Sequence, residues 1–172
     1  IDVFDIEINE KDPDKFIEVV KSISTTFGGI NLEDIKAPEA FKIEKELVDQ
    51  LDIPVMHDDQ HGTAIISAAA LLNALELVDK NIEDVEIVVS GAGAAAIACA
   101  KLYLSFGAKL KNIVMTDSKG VINNSRDGLT KEKKFFATNR EIKTLEEAMV
   151  RSDVFIGLSR ANIVTEKMLK TM

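Results

Sequence analysis

Two pairs of adjacent carboxylates, Glu33-Asp34 and Asp58-Asp59, each follow a short extended apolar run, Ile30-Asn31-Leu32 in one case and Ile53-Pro54-Val55-Met56 in the other. An apolar run that ends in polar residues and passes into a helical pattern reads as a strand delivering side chains to the mouth of a helix. Both histidines of the chain, His57 and His61, flank the second pair. Most of the chemistry that titrates near neutral pH is therefore concentrated in His57-Asp58-Asp59-Gln60-His61-Gly62-Thr63. The plain alternative is an acid-rich cap for the helix that follows. Another is the i, i+4 histidine spacing of a zinc hydrolase, with Asp58 in place of the glutamate of H-E-x-x-H. That chemistry needs both rings on one helical face, whereas His57 belongs to a strand end and Gly62 follows His61.

The other candidate chemistry is nucleotide binding. Val85 to Ser90 is a β-branched strand that runs directly into Gly91-Ala92-Gly93-Ala94-Ala95-Ala96, then into a helical segment from Ile97 to Phe106 with Gly107 as its stop. This is G-x-G-x-x-A in a strand-turn-helix context. The first glycine permits the tight turn, the second lets the backbone approach a pyrophosphate, and a small third residue lets helix and strand pack closely. A second strand, Asn112 to Thr116, ends in Asp117, which lies 24 residues after Gly93 and is placed to accept hydrogen bonds from an adenosine ribose. Asp117, Ser118 and Lys119 are thus expected at the coenzyme; Asp117 on the ribose favours NAD, while Lys119 leaves NADP open. A third strand from Asp153 to Leu158 delivers Ser159 and Asn162 to the sheet end where open α/β sheets bind ligands. A glycine turn without a ligand is the alternative.

The elements that must position these residues alternate along the chain. Ile1 to Ile6 has alternating apolar positions and reads as a strand. Asp12-Pro13 is a helix start, with Phe16, Val19, Val20 and Ile23 at helical spacing. Pro38 opens a second helix, poorly capped by Ala37, with Phe41, Leu47 and Leu51 on one face. Ala64 to Val78 is a core helix, too short and too interrupted by Asn73 and Glu76 to span a bilayer. Val121 to Lys134 reads as an extended surface connection, Thr144-Leu145-Glu146-Glu147 as a capping box, and Thr165 to Met172 as a final helix. The expected fold class is α/β: a Rossmann-like doubly wound parallel sheet, incomplete, preceded by part of an α/β substrate domain. The expected division is residues 1–57 and 58–172, with the acids where two such units meet.

Composition narrows the partners. The chain has 172 residues, 46% of them apolar, enough for a real core, and a net charge of −8 without a basic cluster, which argues against nucleic acid. No membrane segment is visible. The single cysteine, Cys99, lies among alanines as a small buried residue, and a cytoplasmic setting is the default. A start inside a strand, without methionine, suggests an excerpt of a longer protein.

Three motifs in order, Phe27-Gly28-Gly29-Ile30-Asn31-Leu32-Glu33-Asp34-Ile35, then Ile53 to Ala64 with its His57-Asp58-Asp59-Gln60-His61-Gly62-Thr63 centre, then Gly91 to Ala96, resemble malic enzymes, in particular the short prokaryotic type. The resemblance covers almost the whole chain. It implies that Glu33, Asp34 and Asp59 are ligands of a divalent metal and that Asp58 is a neighbouring acid of the active site. It also implies oxidative decarboxylation of L-malate to pyruvate and CO₂ with NAD or NADP, and a homo-oligomer, dimer or higher. Three carboxylates from two strand ends make a hard oxygen set suited to Mg²⁺ or Mn²⁺ and a chelating hydroxy acid. One departure is Ala40, where many relatives have cysteine. A larger one is that the tyrosine and lysine expected upstream as general acid and base, and the substrate asparagines expected downstream, are absent from these residues. Tyr103 lies in the helix after the glycine loop and is not that tyrosine. Malolactic enzyme, which keeps its cofactor and releases lactate, and a non-catalytic NAD-binding regulatory module remain alternatives.

Overall fold

Asp12 starts the first helix as expected: its carboxylate accepts from the backbone N–H groups of Asp14 and Lys15, while Pro13 supplies a first position that needs no N–H donor. The computed structural model describes all 172 residues, and its contacts group them into two units, Ile1–Asp59 and Gln60–Met172. In the first unit, α1 (Pro13–Ser24) and α2 (Glu39–Gln50) cover a two-stranded parallel sheet of β1 (Ile30–Leu32) and β2 (Val55–His57). Ile17 and Val20 of α1, Leu32 of β1, and Ile43 and Leu47 of α2 form its core. Pro38, not Ala37, is the N-cap of α2 and makes no side-chain cap bond, and an ion pair between Lys42 and Asp14 joins the two helices at 2.5 Å. Residues 1–12 form no strand, which corrects the reading of Ile1 to Ile6: the alternating side chains find no partner strand, and Ile1, Val3 and Phe4 are exposed.

The central motif also differs from expectation. The strand runs Val55–His57, later than Ile53 to Met56, and α3 (Asp58–Leu77) begins at Asp58 instead of Ala64. Asp58 and Asp59 therefore occupy the first helical turn immediately after the strand, where carboxylates complement the unpaired N–H groups and the helix dipole.

In the second unit the sheet order is β5-β4-β3-β6, from β3 (Ile87–Ser90), β4 (Ile113–Asp117), β5 (Gly120–Val121) and β6 (Val154–Gly157). Strands β4 and β6 run parallel to β3 on either side, with Ser90 opposite Thr116 and Gly157, so the three carboxyl ends lie level. All four residues of β3 are buried, the pattern of a strand covered on both faces. Helix α4 (Ala94–Ser105) follows β3 and ends at Gly107, whose φ of +110° is a left-handed stop. Short helices α5 (Lys131–Phe135), α6 (Leu145–Met149) and α7 (Glu166–Leu169) complete the unit, α6 opening on the full Thr144–Glu147 capping box. Val88, Val114, Val121 and Met149 meet in one core cluster.

The stretch from Val121 to Lys134 is not the plain surface connection expected. Strand β5 turns back antiparallel to β4, Val121, Ile122 and Phe136 are buried, and Asn123 bridges to Thr138. The final helix, α7, is a single turn, shorter than Thr165 to Met172.

Candidate functional site

The first cluster is built by strand register. Leu32 pairs with His57 across β1 and β2, so the residues that follow, Glu33-Asp34 on one strand and Asp58-Asp59 on the other, leave adjoining carboxyl ends of a parallel pair. Asp34 sits at φ +55°, a left-handed conformation that Asp tolerates better than most residues, and this turns the chain just after the strand. None of these four carboxylates forms a salt bridge with lysine or arginine, whereas Asp14 and Asp117 do. Glu33 is turned back instead, its Oε1 accepting from Asn31 Nδ2 at 2.7 Å. As a donor set, hard, unneutralised oxygens fit Mg²⁺ or Mn²⁺. The side chains do not converge, however: no group of three or more His, Cys, Asp or Glu residues is gathered closely enough to hold an ion.

His57 is fully buried in β2, with Nε2 3.1 Å from the carbonyl oxygen of Ile35 and its backbone N–H donating to Glu44 Oε1 at 2.9 Å. His61 lies in α3 and is exposed. One ring closes a strand and the other projects from a helix, so the i, i+4 spacing gives the two no common helical face.

The second cluster stands at the carboxyl ends of β3, β4 and β6. Gly91 has φ +125°, and its N–H donates to Thr116 O at 2.9 Å. A Cβ there would lie 2.3 Å from Leu158 O, so no other residue fits this turn without displacing the backbone after β6. Gly93 differs: a Cβ on it would meet nothing within 4 Å. The bare backbone at the start of α4 therefore faces open space, as an approaching diphosphate requires. Ala92, Ala94 and Ala95 surround it half-buried, while Ala96 is buried, the small residue at the third position of the fingerprint. Ser159 reaches across from the end of β6, its Oγ 2.9 Å from Ser90 Oγ. Beside it a groove of ≈ 520 Å³ is lined by residues including Gly157, Ser159, Arg160 and Asn162, with Asn162 in a left-handed turn at φ +59°.

Asp117 ends β4, next to the glycine turn. Its carboxylate is already engaged on both oxygens: Arg126 donates from Nη1 and Nη2 at 3.0 Å each, Lys133 Nζ lies at 2.9 Å, and the backbone N–H of Lys119 at 2.9 Å. Burial pushes this carboxyl up, but the hydrogen bonds from Arg126 and Lys133 outweigh it and hold the group well below the usual carboxylate range. Ser118 and Lys119 are exposed. Arg126 and Lys133 were invisible in the sequence, because their approach depends on the return of the chain through β5 and α5. The one available signal was the Asp127-Gly128 turn, which reverses the chain there.

The sequence profile described as "Malic enzyme, NAD binding domain" matches residues 60–172, and that described as "Malic enzyme, N-terminal domain" matches residues 5–48. The chain belongs to the malic enzyme family. It is 55% identical over 174 residues to the NADP-dependent malic enzyme of Escherichia coli, covering 100% of this chain and 23% of that one. It is 45% identical over 177 residues to the bifunctional malic/malolactic enzyme of Bacillus subtilis, covering 100% and 43%. Among solved structures, the NAD-dependent malic enzyme of Thermotoga maritima superposes with a TM-score of 0.93 at 42% identity, covering all of this chain and 47% of that one. The chain thus spans less than half the length of each of these malic enzymes. No helix in it is long and apolar enough to cross a membrane.

Proposed function

We propose that the protein containing this chain oxidises L-malate to pyruvate and CO₂ with NADP or NAD in the presence of Mg²⁺ or Mn²⁺. The observation that carries this reading is the register of β1 and β2. In a malic enzyme family member, it leaves two unneutralised acid pairs at adjoining strand ends. We assign residues 1–57 to the substrate domain and 58–172 to the dinucleotide domain. Glu33, Asp34 and Asp59 are the proposed metal ligands, with Asp58 as a supporting acid beside them. The bound dication would supply Lewis-acid polarisation of the substrate hydroxyl and of the developing enolate oxygen. The residues Gly91, Ala92, Gly93, Ala94, Ala95 and Ala96 hold the dinucleotide by backbone N–H groups and the dipole of α4. Ser118, Lys119, Ser159 and Asn162 complete that site. Ser118 and Lys119 would lie by the adenosine ribose and Ser159 and Asn162 at the end of β6, and the bound coenzyme would supply the acceptor for a hydride from C2 of malate, the resulting β-keto acid then losing CO₂. Tyr103 takes no part in proton transfer: it is buried, paired with Ser67, and burial pushes its hydroxyl up to about 12.

The arrangement around Asp117 bears on the coenzyme. A lone carboxylate would favour the free ribose of NAD, but here two cations surround it, and Arg126 and Lys133 together outweigh its charge. This supports use of NADP, with the 2′-phosphate drawing the two cations away from Asp117.

The purified full-length protein should reduce NADP with malate only when Mn²⁺ or Mg²⁺ is present, releasing pyruvate. Lactate as the product, with no net coenzyme reduction, would identify the malolactic outcome instead. Coenzyme binding without malate turnover would leave a regulatory module.

A further inference from the structure

We infer that His57 is a positioning residue that fixes the acid-bearing turn after β1 against the end of β2. The inference rests on the metal reading above. A carbonyl oxygen can only accept, so the contact between His57 Nε2 and Ile35 O at 3.1 Å requires the proton on Nε2. The other ring nitrogen, Nδ1, is buried with no hydrogen-bond partner. An apolar side chain of similar size would remove the unpaired Nδ1 but would leave the Ile35 carbonyl without this donor, so what the imidazole contributes here is the single bond to Ile35 O.

What the ring does is join two acid pairs. Ile35 directly follows Asp34, and His57 directly precedes Asp58. The Nε2–Ile35 bond therefore ties the far side of the Glu33-Asp34 turn to the residue from which Asp58 and Asp59 spring. The backbone N–H of His57 donates to Glu44 Oε1 in α2, so the strand end is anchored to the helix that covers the sheet. Asp34, held at φ +55°, lies between Leu32, which pairs with His57 across the strands, and Ile35, which the His57 ring holds. Such a conformation persists where its surroundings determine it. Freed from His57, the turn relaxes and the spacing of Glu33 and Asp34 from Asp59 is no longer fixed.

The test uses the full-length protein and two variants. His57→Leu removes the donor and keeps apolar volume, and His57→Gln keeps an amide N–H able to reach the Ile35 carbonyl. Two properties are read: Mn²⁺ affinity by titration, and amide hydrogen exchange of the metal-free protein across residues 30–38. His57→Leu should weaken Mn²⁺ by about 10- to 100-fold, the size typical of residues that orient metal ligands. It should also speed exchange by about ten-fold in that segment alone. His57→Gln should recover both in part. If His57→Leu does not fold, His57→Asn, whose shorter amide falls short of Ile35, takes its place against His57→Gln. Unchanged exchange across residues 30–38 overturns the inference, as does wild-type Mn²⁺ affinity in the variant lacking the donor. A wild-type protein that binds no Mn²⁺ sinks the metal reading, and the exchange result still decides whether His57 holds the turn.

Discussion

Gly91 and Gly93 are separated by one alanine but answer to different constraints. A methyl group on Gly91 would collide with the Leu158 carbonyl at 2.3 Å, and φ +125° is closed to other residues. Gly91→Ala should therefore destabilise the fold by about 1–3 kcal/mol as well as impair coenzyme binding. Gly93 has open space around it, so Gly93→Ala should melt within a few degrees of the wild type yet bind NADPH at least about ten-fold more weakly, a loss of about 1.4 kcal/mol. Thermal melts and NADPH fluorescence check both, and wild-type affinity in Gly93→Ala would remove the pyrophosphate from this turn. Asp117 makes a prediction of a different kind. Its folded pKa is depressed, so its contribution to stability is present above the unfolded value, near 4, and is lost as pH falls towards the folded value. Asp117→Asn should cost roughly 1.5–3 kcal/mol at pH 7 by loss of charged hydrogen bonds. In urea unfolding, the gap to wild type should narrow steadily below about pH 4. A gap independent of pH would mean that the carboxylate charge is not what Arg126 and Lys133 stabilise.

At the scale of elements, local signals were legible where one short stretch contains the whole cause. Asp12-Pro13, Gly107 and the Thr144–Glu147 box are complete in themselves, and each begins or ends a helix as its chemistry dictates. Thr144→Ala should accordingly cost about 1 kcal/mol, read as a lower urea midpoint at constant slope. The acid pairs and glycine turn were legible for the same reason. Boundaries were less so: α3 begins at Asp58 because adjacent carboxylates suit a helical first turn, while the apolar run that signalled it starts later. The wrap formed by β5 and α5 was missed altogether. Its burial comes from partners distant in sequence, such as Ile122 N–H on Met115 O at 2.9 Å and Thr138 N–H on Ile122 O at 2.9 Å. No periodicity within Val121 to Lys134 announces them. The cations of the Asp117 cluster were missed with it, since Arg126 and Lys133 owe their positions to that wrap.

For the whole molecule, a net charge of −8 sets the terms on which anionic ligands bind. On the function proposed above, malate and a dinucleotide, both negative, would need local positive potential, which backbone N–H groups at α4, the Arg126–Lys133 pair and a dication at the first acid cluster would supply. On that reading the centres serve different ligands, and their separability is a prediction. Asp59→Asn in the full-length protein keeps the shape of the side chain and removes one charge. It should weaken Mn²⁺ by about ten-fold or more and slow malate turnover, while NADPH affinity, set at the glycine turn, stays within about two-fold. Removing the metal from the wild-type protein with a chelator should reproduce the same division: turnover falls, coenzyme binding remains, and added Mn²⁺ restores the rate. Asp58→Asn is the control, because a supporting acid that is not a ligand should lower turnover more than it lowers Mn²⁺ affinity. If Asp59→Asn binds Mn²⁺ as tightly as wild type, or if NADPH binding collapses along with the metal, the strand-end acids are not the ion's ligands. The register of β1 and β2 would then have to be explained by the folding of the first unit alone.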